Sequence, residues 1–280
     1  MLTNQSPPPP ASFELLRERA HQLRRNMLVQ ARGKGQGYVG QALGTAEFLS
    51  ALYFNEMRYD AARMDDPDRD RFLMSTGHYA LSLWAVFAEI GLISRDVLPL
   101  YGKDAGPIDM TTFDAVLGVE ITGGSLGQGL GQAVGMALGH KMDKRTCRIF
   151  IETSDGELQE GSTWEAAMSA SAFRLDNLVA LIDCNGIQAD GAIVIDMEPI
   201  AAKWQAFGWD VAEINGNDLE QVVNALVGAR TRNGRPKAIV MRTKPGKGIP
   251  TLEAREKSHF IRVEAAEWEM LEQELERNYV

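Results

Sequence analysis

A chain of 280 residues with 45% apolar content is long enough to bury one large or two small cores. Its formal net charge of −9, without a basic stripe, makes it a poor partner for nucleic acid and for anionic membrane surfaces. The two cysteines, Cys147 and Cys184, lie in apolar runs and read as small core residues in a reducing compartment.

The chain opens on "NQSPPPPAS" (residues 4–12), which cannot be helical, so a loose Pro-rich arm is expected over residues 1–11. No basic-then-apolar leader pattern is visible there, and a cytoplasmic protein is expected. Ser12 is placed to cap a helix over 12–32, whose basic stretch "RERAHQLRR" (17–25) reads as a solvated face. "GQGYVG" (35–40) fits Gly-x-Gly-x-x-Gly. It follows a helix rather than a strand, however, and a dinucleotide site is set aside.

Further helices are predicted near 45–56, 78–91, 126–142, 161–174, 197–206, 218–229 and 262–278. Between them fall strand-like runs at 70–75, 147–153, 177–184, 209–215 and 236–243. The longest uncharged stretch (121–139) carries seven glycines and two glutamines, too polar to span a bilayer. Apolar runs without alternation, separated by helices, predict a doubly wound α/β fold: a mostly parallel sheet covered on both faces. With no internal repeat and no linker, residues 12–280 read as one domain.

One stretch carries chemistry. "CRIFIETSDGELQEG" (147–161) is a strand that ends on Asp155 and runs into a helix. The next strand ends at Asn185, and a right-handed crossover makes the two strands parallel. Asp155 and Asn185 therefore meet at the carboxyl edge of the sheet, where ligands bind in this architecture. Asp155 offers a carboxylate and Asn185 an amide oxygen, and Gly186 permits a turn that lets the Ile187 carbonyl face inward. Three such oxygens suit Mg²⁺ or Ca²⁺ that completes its shell with phosphate oxygens and water. Gly156 would let the backbone approach a diphosphate, with a helix N-terminus adding its dipole. The residues point to a metal-bridged diphosphate.

"SDGELQEG" followed by "DCNGIQADG" resembles the thiamine diphosphate motif, an acidic Gly-Asp-Gly with Asn-Asn some distance on. With "STGHYALSLWAVFAEIGLI" (75–93), "GVEITGGSLGQGLGQAVGMALGHK" (118–141), "FGWDV" (207–211) and "TKPGKG" (243–248), the likeness extends over about 12–260. It is to the transketolase family, and specifically to the N-terminal subunit of split transketolases. The resemblance implies thiamine diphosphate as cofactor, with Mg²⁺ (or Ca²⁺) held by Asp155, Asn185 and the Ile187 carbonyl. It implies Gly156 at the diphosphate and Gly124, Ser125 and Leu126 beside the cofactor's rings. His78 and His259 match histidines near the diphosphate and the substrate, and Glu160 matches a buried glutamate that links paired active sites. Read without the resemblance, Glu160 also suits an exposed first helical turn.

Departures from the family pattern are Ser154 and Cys184 in the motif, Tyr38 for one substrate histidine, and Met110 at about the position of another. The last two imply a non-standard ketose or aldose. The family's pyrimidine-binding domain and its activating glutamate are not found in the 280 residues. A C-terminal partner subunit is therefore expected, in a heterotetramer, for two-carbon ketol transfer between sugars. The alternatives are the α-subunit of a 2-oxoacid dehydrogenase and a catalytically silent scaffold subunit. Gly127, Gly131, Gly135 and Gly139 form a bare helix stripe for packing within the chain or, by the family analogy, against a subunit.

Overall fold

The computed structural model describes residues 10–189 and 191–279. Of the predicted arm, Pro10 and Ala11 are described, and the Ala11 N–H donates to Asn55 Oδ1 at 2.9 Å; residues 1–9 lie outside the described residues. Helix α1 (Phe13–Lys34) starts at Ser12, whose hydroxyl accepts from the Leu15 N–H, and stops at Gly35 in the left-handed region (φ 78°). The Gly-rich 35–40 segment is thus a helix C-cap, followed by a two-residue strand, β1 (Gln36–Gly37), and a short helix, α2 (Val39–Gly44).

The predicted 45–56 helix is present as α3 (Ala46–Ala51), continued by a wide π-turn over Leu52–Glu56. Then come β2 (Arg71–Met74), α4 (Ala80–Glu89), α5 (Gly129–Met142), β3 (Ile149–Ser154), α6 (Gly161–Ala172) and β4 (Leu178–Cys184). A small hairpin follows, β5 (Ile187–Gln188) with β6 (Gly191–Ala192). The chain continues with α7 (Ile200–Ala206), β7 (Asp210–Asn215), α8 (Leu219–Gly228), β8 (Lys237–Arg242), α9 (Pro250–Glu253), β9 (Ile261–Arg262) and α10 (Trp268–Arg277). The predicted 262–278 helix loses its first turn because Arg262 and Ile261 pair with Gln36 and Gly37 instead.

The main sheet has five strands in the order β2-β3-β4-β8-β7, all pairs parallel. Side chains alternate along each strand: Phe150, Val179 and Ile239 join the core under α1–α4, α8 and α10, while Ile149, Ile151 and Val240 join the core under α5–α7. Both faces are covered, which is why these strands read as unbroken apolar runs. Cys147 and Cys184 are buried free thiols, as expected. Two basic-face expectations fail. Arg24 is buried and ion-paired with Glu47, at 2.6 Å, and His21 is buried against Tyr279 and within 3.4 Å of Glu276. The ends of α2 and α3 hold Arg24, through the Leu43 carbonyl and Glu47, and the C-terminal helix lies on α1 beside His21. Among the described residues no helix is long and apolar enough to cross a membrane.

Candidate active site

Because β2, β3 and β4 are neighbours and parallel, the residues that follow them emerge together at one edge. Ser75–His78 leave β2, Asp155–Gly156 leave β3, and Asn185–Ile187 leave β4. The Asp155 N–H donates to the Asp183 carbonyl at 3.0 Å, so the ladder runs to the tip of the strand. Asp155 is 5% exposed. Its two oxygens accept from the Gly156 N–H (2.9 Å) and the Gly186 N–H (2.8 Å). The second of these holds the two predicted ligand loops together, with Gly186 in the left-handed region its turn requires (φ 75°).

Asn185 is oriented from behind. Its amide nitrogen donates to Asp183 Oδ2 and to the Tyr79 hydroxyl, both at 2.8 Å, and its Oδ1 accepts from the Ile187 N–H at 3.0 Å. Asp183 is itself held by the Thr243 hydroxyl. Burial pushes the Asp155 carboxyl up to about 7; the two N–H donors oppose this and the Asp183 charge reinforces it. Each Asp155 oxygen and Asn185 Oδ1 keeps a lone pair with which a cation could be held. Among the described residues no three His, Cys, Asp or Glu side chains cluster as a metal site. The donors are thus one carboxylate, one amide and main chain, which fits a hard cation that shares its shell with phosphate.

In front of this edge is a cavity of about 490 Å³. Gly156, Ile187 and Gln188 line it, together with His78, His259 and Tyr38 and with Gly124 and Leu126. The Tyr38 ring meets His78, His259 and Phe260 edge-on, with centroids 4.7, 5.2 and 5.0 Å apart. Burial, and then the proximity of His259, hold the His78 imidazole down at about 3, so it is a neutral hydrogen-bonding group in this pocket. Two larger clefts, of about 700 and 730 Å³, lie along α1 and α10, and neither is lined by His78, Gly156 or Ile187.

The predicted set thus converges: His78, His259, Gly124, Leu126, Gly156, Glu160 and Ile187 line the cavity, with Asp155 and Asn185 behind it. Ser125 is exposed beside Leu126, outside the lining. Glu160 sits between the 3₁₀ turn Gly156–Gln159 and α6 and is exposed beside Leu126, where a second chain could cover it. One expectation is corrected. Met110 does not reach the cavity. It packs against the core under α4, and Thr111 lines the pocket in its place. An irregular loop offers no periodicity from which to read which of two adjacent side chains turns inward. Sequence reasoning also missed Asp183, Tyr79 and Glu157. A carboxylate at the end of the apolar run "LVALIDC" was the available signal for the first.

The family description "Transketolase, thiamine diphosphate binding domain" matches residues 17–278. The chain belongs to the transketolase family. A putative uncharacterized transketolase family protein of Sinorhizobium fredii is 48% identical over 260 residues, which cover 90% of this chain and 92% of that protein. A protein of a Clostridium species named as a 6-deoxy-6-sulfo-D-fructose transketolase subunit is 36% identical over 265 residues, covering 94% and 96%. Among solved structures, the transketolase of Campylobacter jejuni superposes with a TM-score of 0.86 at 27% identity, covering 96% of this chain and 43% of that one. The chain thus spans under half the length of the solved transketolases it matches.

Proposed function

We propose that this chain is the diphosphate-binding subunit of a two-chain transketolase that moves a two-carbon ketol unit from a ketose donor to an aldose acceptor. The observation that carries the reading is the convergence of Asp155, Asn185 and the Gly186 turn with His78 and His259 on one cavity, in a chain of this family. Asp155, Asn185 and the Ile187 carbonyl would hold Mg²⁺ (or Ca²⁺) and through it the cofactor's diphosphate. The bound thiazolium would supply the electron sink that no side chain provides for a cleaved carbon–carbon bond. His78, neutral, and His259 would hydrogen-bond the reacting oxygens, with proton movement falling to His259, and Leu126 with Gly124 would help to exclude water.

Two features support a partner chain. Leu126 and Glu160 line the cavity yet are exposed, so that wall is incomplete. Beside them Gly131, Gly135 and Gly139 have nothing within 4 Å of where a Cβ would stand, which leaves a flat helix face uncovered in this chain. We take the partner to be the C-terminal subunit, in a heterotetramer with paired sites, and the location to be cytoplasmic, in keeping with the two free buried thiols.

The test is native mass spectrometry of the protein affinity-purified from its own cells with thiamine diphosphate and Mg²⁺. A second chain and one cofactor per pair of unlike chains are expected. A lone chain that takes no cofactor at high concentration would overturn the reading. Substrate choice is expected to depend on Tyr38, whose ring stands where the family places a histidine. Tyr38→His should raise kcat/KM for an ordinary pentulose phosphate donor about tenfold, the worth of one added hydrogen bond. An unchanged donor preference in a ketol-transfer assay would remove Tyr38 from the specificity argument.

A further inference from the structure

Glu157 joins three segments of the carboxyl edge, yet the proposed reaction does not use it. It is 1% exposed. Its Oε1 accepts from the Ser75 hydroxyl and from the Gly127 N–H at 2.7 Å, and its Oε2 accepts from the Thr153 hydroxyl at 2.6 Å. These donors come from three separate segments: the turn that carries His78, the loop that carries Gly124 and Leu126, and the end of β3.

Other bonds tighten the same junction. The Ser75 carbonyl accepts from the Gly124 N–H at 2.8 Å, and the Gly127 carbonyl accepts from the Ser162 hydroxyl at 2.8 Å. The Gly127 peptide is therefore held from both sides. A Cβ at Gly127 would lie 2.6 Å from Ser162 Oγ and 2.7 Å from Glu160 Cβ, and its φ of 83° belongs to glycine. The loop cannot slide there. The chemistry of the clamp also explains the residue type. Three donors converge on two oxygens, and an ionised carboxylate is the side chain that only accepts. Glutamine could keep its oxygen on Ser75 and Gly127 and turn its amide to the Thr153 hydroxyl, which can accept, so it retains the clamp in part, whereas aspartate is one methylene short.

We infer that Glu157 is a positioning residue that locks the Gly123–Gly127 loop to the His78 turn and so fixes the width of the cavity between Leu126 and His78. The inference rests on the reading of that cavity as the thiamine diphosphate site. It predicts that loss of the clamp loosens the wall beside the cofactor's rings and leaves the Asp155–Gly186 diphosphate side intact.

Hydrogen exchange by mass spectrometry on the full chain tests the clamp without reference to activity. In Glu157→Ala, peptides covering 123–127 should exchange at least tenfold faster, with β3 and β4 peptides unchanged and Glu157→Gln recovering part of the protection. Calorimetry on the two-chain complex then compares thiamine diphosphate with inorganic pyrophosphate, both with Mg²⁺. The first should weaken at least tenfold in Glu157→Ala and the second should not. Unchanged exchange over 123–127, or parallel weakening of both ligands, would overturn the inference. Should the alanine variant fail to fold, Ser75→Ala removes one arm of the clamp and is judged by the same two measurements. If the wild-type complex binds neither ligand, the cofactor reading falls, while the exchange result still decides whether the clamp exists.

Discussion

Asp155→Asn is expected to lower the Mg²⁺-dependent affinity for thiamine diphosphate by more than about 100-fold, beyond the loss that removing an outer-shell partner of a metal causes. The substitution keeps the shape and one acceptor, for Gly156 or Gly186, but turns an amide NH2 toward the other N–H, so one of the two loop bonds is lost together with the charge. Above pH 7 the same change also removes a buried charge from the chain without its ligands. A carboxyl held at about 7, against an ordinary value of 3.8, binds its proton more tightly folded than unfolded. Between those two values the folded chain carries the extra proton, so rising pH destabilises it through that window, by about 4 kcal/mol in all, and has no further effect above 7.

A bound cation reverses the balance, because it needs the ionised form. Metal affinity should therefore rise with pH up to about 7 and then level off, with one proton released per cation taken up below that point. Thermal melts of wild type and Asp155→Asn from pH 5 to 8 separate this group from the other buried carboxylates, Glu152, Glu157 and Asp183, which burial also pushes up. Parallel pH curves for the two proteins, or retained metal affinity in the variant, would refute the assignment of Asp155 as the ligand.

Gly77→Ala is expected to damage the site as severely by geometry alone. A Cβ on Gly77 would stand 2.3 Å from the Gly123 carbonyl carbon and 2.7 Å from its Cα and oxygen. All three are backbone atoms, so no side-chain rotation relieves the clash. The His78 turn and the Gly123 loop must part, and a displacement of about 1 Å at a reacting centre can lower catalysis about 100-fold. Overpacking of this kind also destabilises by about 1–3 kcal/mol. The contrasting control is Gly131→Ala, on the open face of α5, where nothing lies within 4 Å. There the isolated chain should gain up to about 1 kcal/mol from helix propensity, while assembly with the partner weakens because the face is no longer flat. Steady-state kinetics on the assembled enzyme, with melts and titration of the partner chain, check both. Normal activity in Gly77→Ala would show that the two loops tolerate separation.

The two sites differ in how visible they were beforehand. Both are single glycines to a reader of the sequence, and nothing in their type distinguishes the crowded one from the open one. By contrast, the five core strands, the Ser12 cap and the place of Asp155 and Asn185 at strand ends follow from local chemistry. An apolar run without alternation must be covered on both faces, and a hydroxyl ahead of a helix accepts a free N–H. Such rules act over a few residues, so the sequence by itself determines the parallel sheet and the pair of oxygen donors at its edge.

Only the tertiary structure decided the rest. That Thr111 rather than Met110 faces the cavity, that Glu160 is exposed, that Tyr38 packs on His78 and His259, and that Glu157 ties three segments together all depend on contacts between distant parts of the chain. Ser75 and Glu157 are 82 residues apart, and Asn185 and Tyr79 are 106 apart. A loop residue has no period of its own. Its side chain points where the packed backbone on either side leaves room, and that backbone is placed by the neighbouring strands β2, β3 and β4, whose adjacency is a property of the folded sheet.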